Sequence, residues 1–411
     1  MDSVHPLFVA TYPPEECGLA TFTKDSADAV DVAADDAISS VMAIQKTRRV
    51  PDDDLRVVHV IDNGNVGSYR LAAQVANQGP CNIVSLQHEF GLYPGDWGAR
   101  LMEFVRNCDK PIVTTFHTLL ADPPSLPKRL IREIAIHSKH VVVMTHIAAQ
   151  LLADVYRVDR KMIRVIPHGV PEVPFTRKSN RKEALGFDGR SVICTFGLIN
   201  RGKGLEQMIR AMPRIVAHFP NALYLVVGAT HPLVKLQEGE AYRDSLALLA
   251  KSLGVAENVQ FVNQYLSLPD VISRLQACDV FVTPYPGRDQ IASGTMAYAM
   301  ATVGAIVSTP YLYAEEVLAD GRGMLVPFGD SQAMAESVVR LLASPQLMEE
   351  MRLKAYEYTL DMFWPNVGRA YLELFTEVVR PVSSESLDSP RVGLSNGVNA
   401  KHPLLIPRKL P

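Results

Sequence analysis

The sequence predicts an α/β protein made of two Rossmann-like, doubly wound domains facing a central cleft. Three observations carry this reading. Short apolar runs rich in β-branched residues alternate with longer amphipathic stretches almost from end to end. The alternation falls into two blocks, separated by a segment with prolines at 167, 171 and 174. The strand candidates are mostly continuous apolar runs rather than alternating ones, as parallel strands covered on both faces require.

In chain order, the first block offers strands at Pro6–Thr11, Arg56–Ile61, Asn82–Leu86, Pro111–Phe116, His140–Met144 and Ile163–Ile166. The second offers Ser191–Phe196, Ala222–Gly228, Asn258–Val262, Asp279–Thr283, Gly304–Ser308 and Gly323–Val326. Helical patterns lie between them; in one, Leu205, Met208, Ile209, Met212, Ile215, Val216 and Phe219 fall on a single stripe. These elements divide the chain into a first domain over 1–170 and a second over 171–362. The connection Pro167–Ser179 should run extended, because proline fixes φ and removes a backbone donor. A last helical pattern, about Leu347–Val379 and broken near Pro365, places 363–380 back on the first domain. From 381 to 411 the Ser, Asn, Pro and Gly content reads as a linker or disordered end that could lead to a further domain.

Composition narrows the function. The 411 residues are 47% hydrophobic and 21% charged, with 41 Lys and Arg against 44 Asp and Glu, for a net charge of −3. No basic excess advertises nucleic acid, and no apolar run is long enough to cross a bilayer. The N-terminus has no basic-then-apolar signal, so a cytoplasmic location is expected. The five dispersed cysteines contain no C-x-x-C pair, which fits reduced thiols rather than disulfides or a cysteine zinc site.

Doubly wound domains bind ligands at the carboxyl ends of their strands, and the chemistry-bearing residues cluster there. Gly197-Leu-Ile-Asn-Arg-Gly-Lys-Gly204 follows a strand and precedes a helix. Its glycines let the backbone approach an anion, and Arg201 and Lys203 add charge. The string nearly matches an NTPase phosphate loop, but Gly204 stands where the magnesium-binding hydroxyl belongs. Gln290-Ile-Ala292-Ser293-Gly294-Thr295 leads into another helix, offering helix-start amides and a hydrogen-bonding Gln290; its bland reading is a helix cap by Ser293 or Thr295. The loop Tyr12–Thr21, with Gly18, could close over a ligand or simply connect strand to helix. His88 and Glu89 follow one strand and His117 another, as candidates for a site or as hydrogen-bonded core residues. His168 at the domain joint reads as structural, and His137, His140 and His146 lack metal-site spacing.

Taken together, the loop with Gly18, Thr-Phe-His117-Thr, Ile-Pro-His-Gly-Val, the Gly197–Gly204 loop, Ala-Cys-Asp279-Val-Phe-Val-Thr-Pro and Trp364-x-x-Val367-x-x-x-Tyr371 resemble the GT-B glycosyltransferases, specifically the retaining glycosyltransferase family 4. The likeness runs from about residue 4 to about residue 380. It implies a metal-independent enzyme that takes a hexose from a UDP- or GDP-linked sugar to a carbohydrate or other hydroxyl acceptor. It also implies roles: Lys203 on the donor diphosphate, His117 near the donor sugar, Gly18 approaching the diphosphate, and the backbone of Ala292, Ser293 and Gly294 holding donor sugar or phosphate. The family's Glu-x7-Glu pair is replaced by Gln290 and Tyr298, and its arginine before the lysine by Leu198, with Arg201 a candidate to supply that charge. With no carboxylate nucleophile in view, the implied chemistry is front-face substitution. His88 and Glu89 would then contact the acceptor, with Glu89 binding its hydroxyl or acting as a base; the bland reading of Glu89 is a solvated or salt-bridged glutamate. Two other readings stay open: a glycoside phosphorylase of the same fold using inorganic phosphate, which the loss of a carboxylate at Tyr298 favours, and a non-catalytic sugar- or nucleotide-binding module.

Overall fold

The computed structural model describes residues 3–380 apart from 47, 49, 52–53, 176–180 and 303. The segment read as a linker or disordered end, 381–411, lies outside the described residues, as does the expectation of a domain beyond it.

Seven parallel strands form the first sheet: β1 (Pro6–Ala10), β2 (Ser40–Gln45), β3 (Val57–Asp62), β4 (Ile83–His88), β5 (Ile112–Phe116), β6 (Ser138–Val143) and β7 (Ile163–Val165), in the order β3-β2-β1-β4-β5-β6-β7. Six parallel strands form the second: β8 (Ser191–Phe196), β9 (Ala222–Val227), β10 (Val259–Val262), β11 (Val280–Thr283), β12 (Ile306–Ser308) and β13 (Met324–Leu325), in the order β10-β9-β8-β11-β12-β13. β2 is the strand absent from the sequence reading.

Alternation along each strand sends side chains to two faces. Leu7 and Val9 of β1 pack into one apolar layer with Val84 and Leu86, while Phe8 packs into the opposite layer with Val41, Ile83 and Val113. The second sheet repeats the arrangement: Val192, Cys194, Leu225 and Phe281 face one layer, and Ile193, Tyr224, Val226 and Val282 the other. This two-sided burial is why the strands read as unbroken apolar runs.

The last helix, Trp364–Val379, belongs to the first domain by packing. Val367, Tyr371, Leu374 and Phe375 bury against the layer containing Phe8, whose ring lies 6.2 Å from that of Phe375. The same helix lies along the helix Gly18–Ala34, so closely that a Cβ on Gly368 would stand 2.2 Å from the Ala29 carbonyl oxygen. Pro365 sits in its first turn, where no backbone donor is needed. At the joint the outgoing and returning chains pair: Val170 N–H donates to the Met362 carbonyl at 2.8 Å, and Trp364 N–H to the Val170 carbonyl at 3.0 Å. A second contact between the domains lies on the helix His146–Asp154, whose first amides, His146 N–H and Ile147 N–H, donate to the Glu316 carboxylate at 3.0 and 2.8 Å.

Each strand order reverses beside its first strand, between β1 and β4 and between β8 and β11. The loops after those strands open onto one cleft between the domains, the position where open α/β sheets hold ligands. Among the described residues no helix is long and apolar enough to cross a membrane.

Candidate active site

The cleft has a volume of about 1080 Å³. Its second-domain wall begins with the loop after β8. Gly204 has φ +60°, and any Cβ there would fall 2.1 Å from the Pro284 carbonyl oxygen, so only glycine fits the turn that launches the helix Leu205–His218. The turn brings Lys203 to the wall, where Nζ donates to the Tyr285 hydroxyl at 2.6 Å. Burial works to raise the Tyr285 pKa, but the adjacent ammonium and the hydroxyls of Thr295 and Ser293 bring it below its ordinary value. Lys203 has no carboxylate partner among the described residues.

Beside this pair starts the helix Gly294–Thr302. Ser293 Oγ accepts from Met296 N–H at 3.3 Å and lies 3.2 Å from Thr295 Oγ1, which is itself 3.2 Å from the Tyr285 hydroxyl. Ala292, Gly294 and Thr295 line the cleft, and so does Gln290, whose side-chain amide makes no hydrogen bond to a described residue.

On the first-domain wall, Cys17 Sγ accepts from Ala20 N–H at 3.4 Å and caps the helix Gly18–Ala34. Gly18 therefore stands at the helix start with open space where a side chain would be. His117 follows β5 and faces the cleft. The Gln87 amide nitrogen donates to Ser85 Oγ at 3.2 Å, so Gln87 Oε1 accepts from His117 Nε2–H at 2.9 Å. That assignment leaves Nδ1 of His117 as an acceptor. Burial, with smaller effects from His168 and His88, pushes the His117 pKa down to about 3, so the ring is neutral. Glu89 also lines the cleft, its oxygens held by Thr118 Oγ1 at 2.8 Å and Gly91 N–H at 3.0 Å.

The structure thus brings Gly18, Glu89, His117, Lys203, Gln290, Ala292, Gly294, Thr295 and Tyr298 to one surface. Three expected side chains stand elsewhere. Arg201 is drawn outward: its guanidinium pairs with Glu238 at 2.9 Å and lies 4.8 Å over the Tyr242 ring, and it is not on the cleft wall. His88 is 1% exposed beneath the wall, among Phe90, Tyr93 and Phe116, and burial lowers its pKa to about 3, so it is core rather than an acceptor contact. The Ser293 side chain is buried and its hydroxyl serves the helix cap; the role expected of this residue is for its backbone, which lies between Ala292 and Gly294 of the wall. Tyr298 reaches the cleft with its hydroxyl already donating to Asp25 of the first domain at 3.4 Å.

Other cleft residues escaped the sequence reading. His168, read as structural, lines the cleft; its Nδ1 donates to the Gly169 carbonyl at 2.8 Å, and burial lowers its pKa to about 4. Lys46, His231, Tyr265, Tyr285 and Asp289 also lie on the walls. Each follows a strand, the one signal that could have found them.

Two facing Rossmann-like sheets with a cleft lined by helix starts and by Lys203 define the GT-B class of α/β proteins. Residues 43–172 match Glycosyltransferase Family 4 and residues 176–358 match Glycosyl transferases group 1, so the chain belongs to this family of GT-B glycosyltransferases. It is 26% identical over 271 residues to the phosphatidyl-myo-inositol mannosyltransferase of Mycolicibacterium smegmatis, covering 65% of each chain. Against the D-inositol 3-phosphate glycosyltransferase of Nocardia farcinica it is 26% identical over 291 residues, 65% of this chain and 61% of that one. The matched segment spans less than two thirds of either relative's length. Among solved structures, Anabaena HepE in complex with UDP and glucose superposes with a TM-score of 0.71 at 15% identity, covering 91% of this chain and 100% of that one. Sucrose-phosphate synthase from Thermosynechococcus elongatus gives a TM-score of 0.71 at 16% identity, covering 91% and 99%. These likenesses bear on the fold.

Proposed function

We propose that the protein is a retaining glycosyltransferase that moves a hexose from a UDP- or GDP-linked sugar to a hydroxyl acceptor. The observation that carries this reading is the convergence of Lys203 and the start of the helix Gly294–Thr302 on one cleft, opposite Gly18 and His117. In the reaction, the bond between the anomeric carbon and the diphosphate oxygen breaks, and the electron pair leaves with the diphosphate. Lys203 and the helix-start amides stabilise that charge where it develops, and no metal is invoked. The acceptor oxygen attacks the same face, and its proton passes to the departing phosphate oxygen. Neutral His117 offers Nδ1 to a donor-sugar hydroxyl, and Gln290 offers both a donor and an acceptor. Glu89, fixed by Thr118 and Gly91, is assigned to an acceptor hydroxyl. The relatives' names, a mannosyltransferase for phosphatidyl-myo-inositol and a glycosyltransferase for D-inositol 3-phosphate, support a hexosyl donor and a polyol hydroxyl as acceptor. Five unpaired thiols support a cytoplasmic location.

One observation favours a second reading. The Tyr298 hydroxyl, at a position where the family carries a ribose-binding carboxylate, is committed to Asp25. A site that does not grip ribose suits phosphorolysis by inorganic phosphate. A screen of sugar nucleotides, read by release of nucleoside diphosphate, separates the two. Release from one donor is expected and should vanish in His117→Ala with donor binding kept. No release from any donor, together with no affinity for UDP, GDP or ADP, overturns the proposal.

A further inference from the structure

Lys203 is the cation that the donor reading needs, and the residue that holds it is one the sequence reading passed over. Ordering a free lysine side chain costs about 1.5–2 kcal/mol of rotamer freedom. A site that orders it beforehand removes that cost from the binding step. Here the stem lies along Gly197, where a Cβ would stand 3.5 Å from Cε. Nζ lies 4.5 Å from the centroid of the Tyr285 ring and donates to its hydroxyl at 2.6 Å.

Tyr285 is itself fixed. It is 2% exposed, its ring stacks on Tyr311 with centroids 4.9 Å apart and 24° between planes, and its carbonyl accepts from Thr309 Oγ1 at 2.7 Å. Its hydroxyl also lies 3.2 Å from Thr295 Oγ1, at the start of the helix Gly294–Thr302. An ammonium has three donors, and Tyr285 takes one. A phenol that accepts from the ammonium keeps its own proton for Thr295 or for a ligand.

We propose that Tyr285 is a positioning residue, whose hydroxyl holds the Lys203 ammonium in place for the anion that enters the cleft. The glycosyl-transfer reading enters only in naming that anion as the donor's diphosphate. The contact also makes the site sensitive to alkali. Burial works to raise the Tyr285 pKa, but Lys203 and the hydroxyls of Thr295 and Ser293 bring it below its ordinary value of 10.0. Among the described residues, the titratable groups against the phenol are Lys203 and, in the stack, Tyr311, which is raised by burial and then by Tyr285. A phenolate would cancel the charge of the ammonium. Once Tyr285 ionises, the anion must therefore bring a proton with it.

Calorimetric titration of the full chain with UDP, GDP and pyrophosphate at pH 7.5 and 9.5 tests this. The comparison is with Tyr285→Phe, which keeps the ring and removes the oxygen. At pH 7.5 the variant should bind the anion about three- to tenfold more weakly, the net effect of one hydrogen bond. On going to pH 9.5 the wild-type affinity should fall at least about twofold further than that of the variant, because only the wild type has a phenolate to protonate. Ultraviolet absorbance of the wild type checks the ionisation without any variant: one tyrosine should ionise below pH 10.0 and shift upward when pyrophosphate is added. Equal or tighter binding by the variant at pH 7.5, the same pH dependence in both proteins, or no early-ionising tyrosine overturns the assignment. Tyr285-dependent binding of pyrophosphate, with no nucleoside diphosphate bound, sinks the donor reading and leaves the positioning role standing. Binding of none of the three anions overturns both.

Discussion

Arg201 and Lys203 are two positions apart in one glycine loop, and their side chains go to different places. A short helical turn, Arg201–Lys203, turns the arginine onto Glu238 and Tyr242 and the lysine onto Tyr285 in the cleft. The arginine's pair is solvent-exposed, where such contacts contribute little. The lysine meets the hydroxyl and, 4.5 Å from its centroid, the ring of Tyr285 but no carboxylate among the described residues, so its charge is available to an anion. Lys203→Ala should therefore weaken nucleoside diphosphate binding by about 1.5–3 kcal/mol. Arg201→Ala should leave that affinity within about twofold, below the energy of one charge-assisted bond. Calorimetry on both variants checks the pair; equal losses would return Arg201 to the site. Leu198, which the family resemblance sets where an arginine is expected, is on the cleft wall without any charge to contribute.

At the level of elements, the strands that cross the middle of each sheet were legible because they are apolar on both faces. β2 was not: Ser-Val-Met-Ala-Ile-Gln has two β-branched residues in six and no flanking glycine or proline to mark it as a strand. The omission carried into the site, because Lys46 is recognisable as a strand-end residue only once β2 is known. Glycine loops and strand-end histidines could be picked out locally. Which way Arg201 points, and that His88 lies under the wall while His117 lies on it, depend on neighbours distant in sequence. The returning helix Trp364–Val379 was visible as an apolar stripe, but its closeness to Gly18–Ala34 turns on Gly368. Gly368→Ala forces a methyl against the Ala29 carbonyl and should cost about 1–3 kcal/mol. A lower urea midpoint at unchanged slope would register it; an unchanged midpoint would mean that the helix moves aside without loss.

The molecule as a whole has buried histidines around its cleft. Burial lowers His88 and His117 from 6.5 to about 3, and His168 from 6.5 to about 4. Between about pH 6.5 and 4 the unfolded chain binds protons on these rings that the native protein refuses, so stability falls as pH falls through that window. Asp25 acts in the other direction: burial raises it from 3.8 to about 6, so its contribution is present at low pH and lost as pH rises toward 6. Three rings against one carboxyl predict a net loss on acidification. Urea midpoints at pH 7.5 and 5 should show it, with a shallower dependence in His168→Gln. A flat profile would mean that these rings are not held neutral. The seat of Glu316 on the first amides of the helix His146–Asp154 has a mechanical consequence. A swing of one lobe that preserves both this clasp and the pairing of Val170 with Met362 and Trp364 must turn about the line through the two, so the rim near that line travels least and the aperture gapes widest farthest from it.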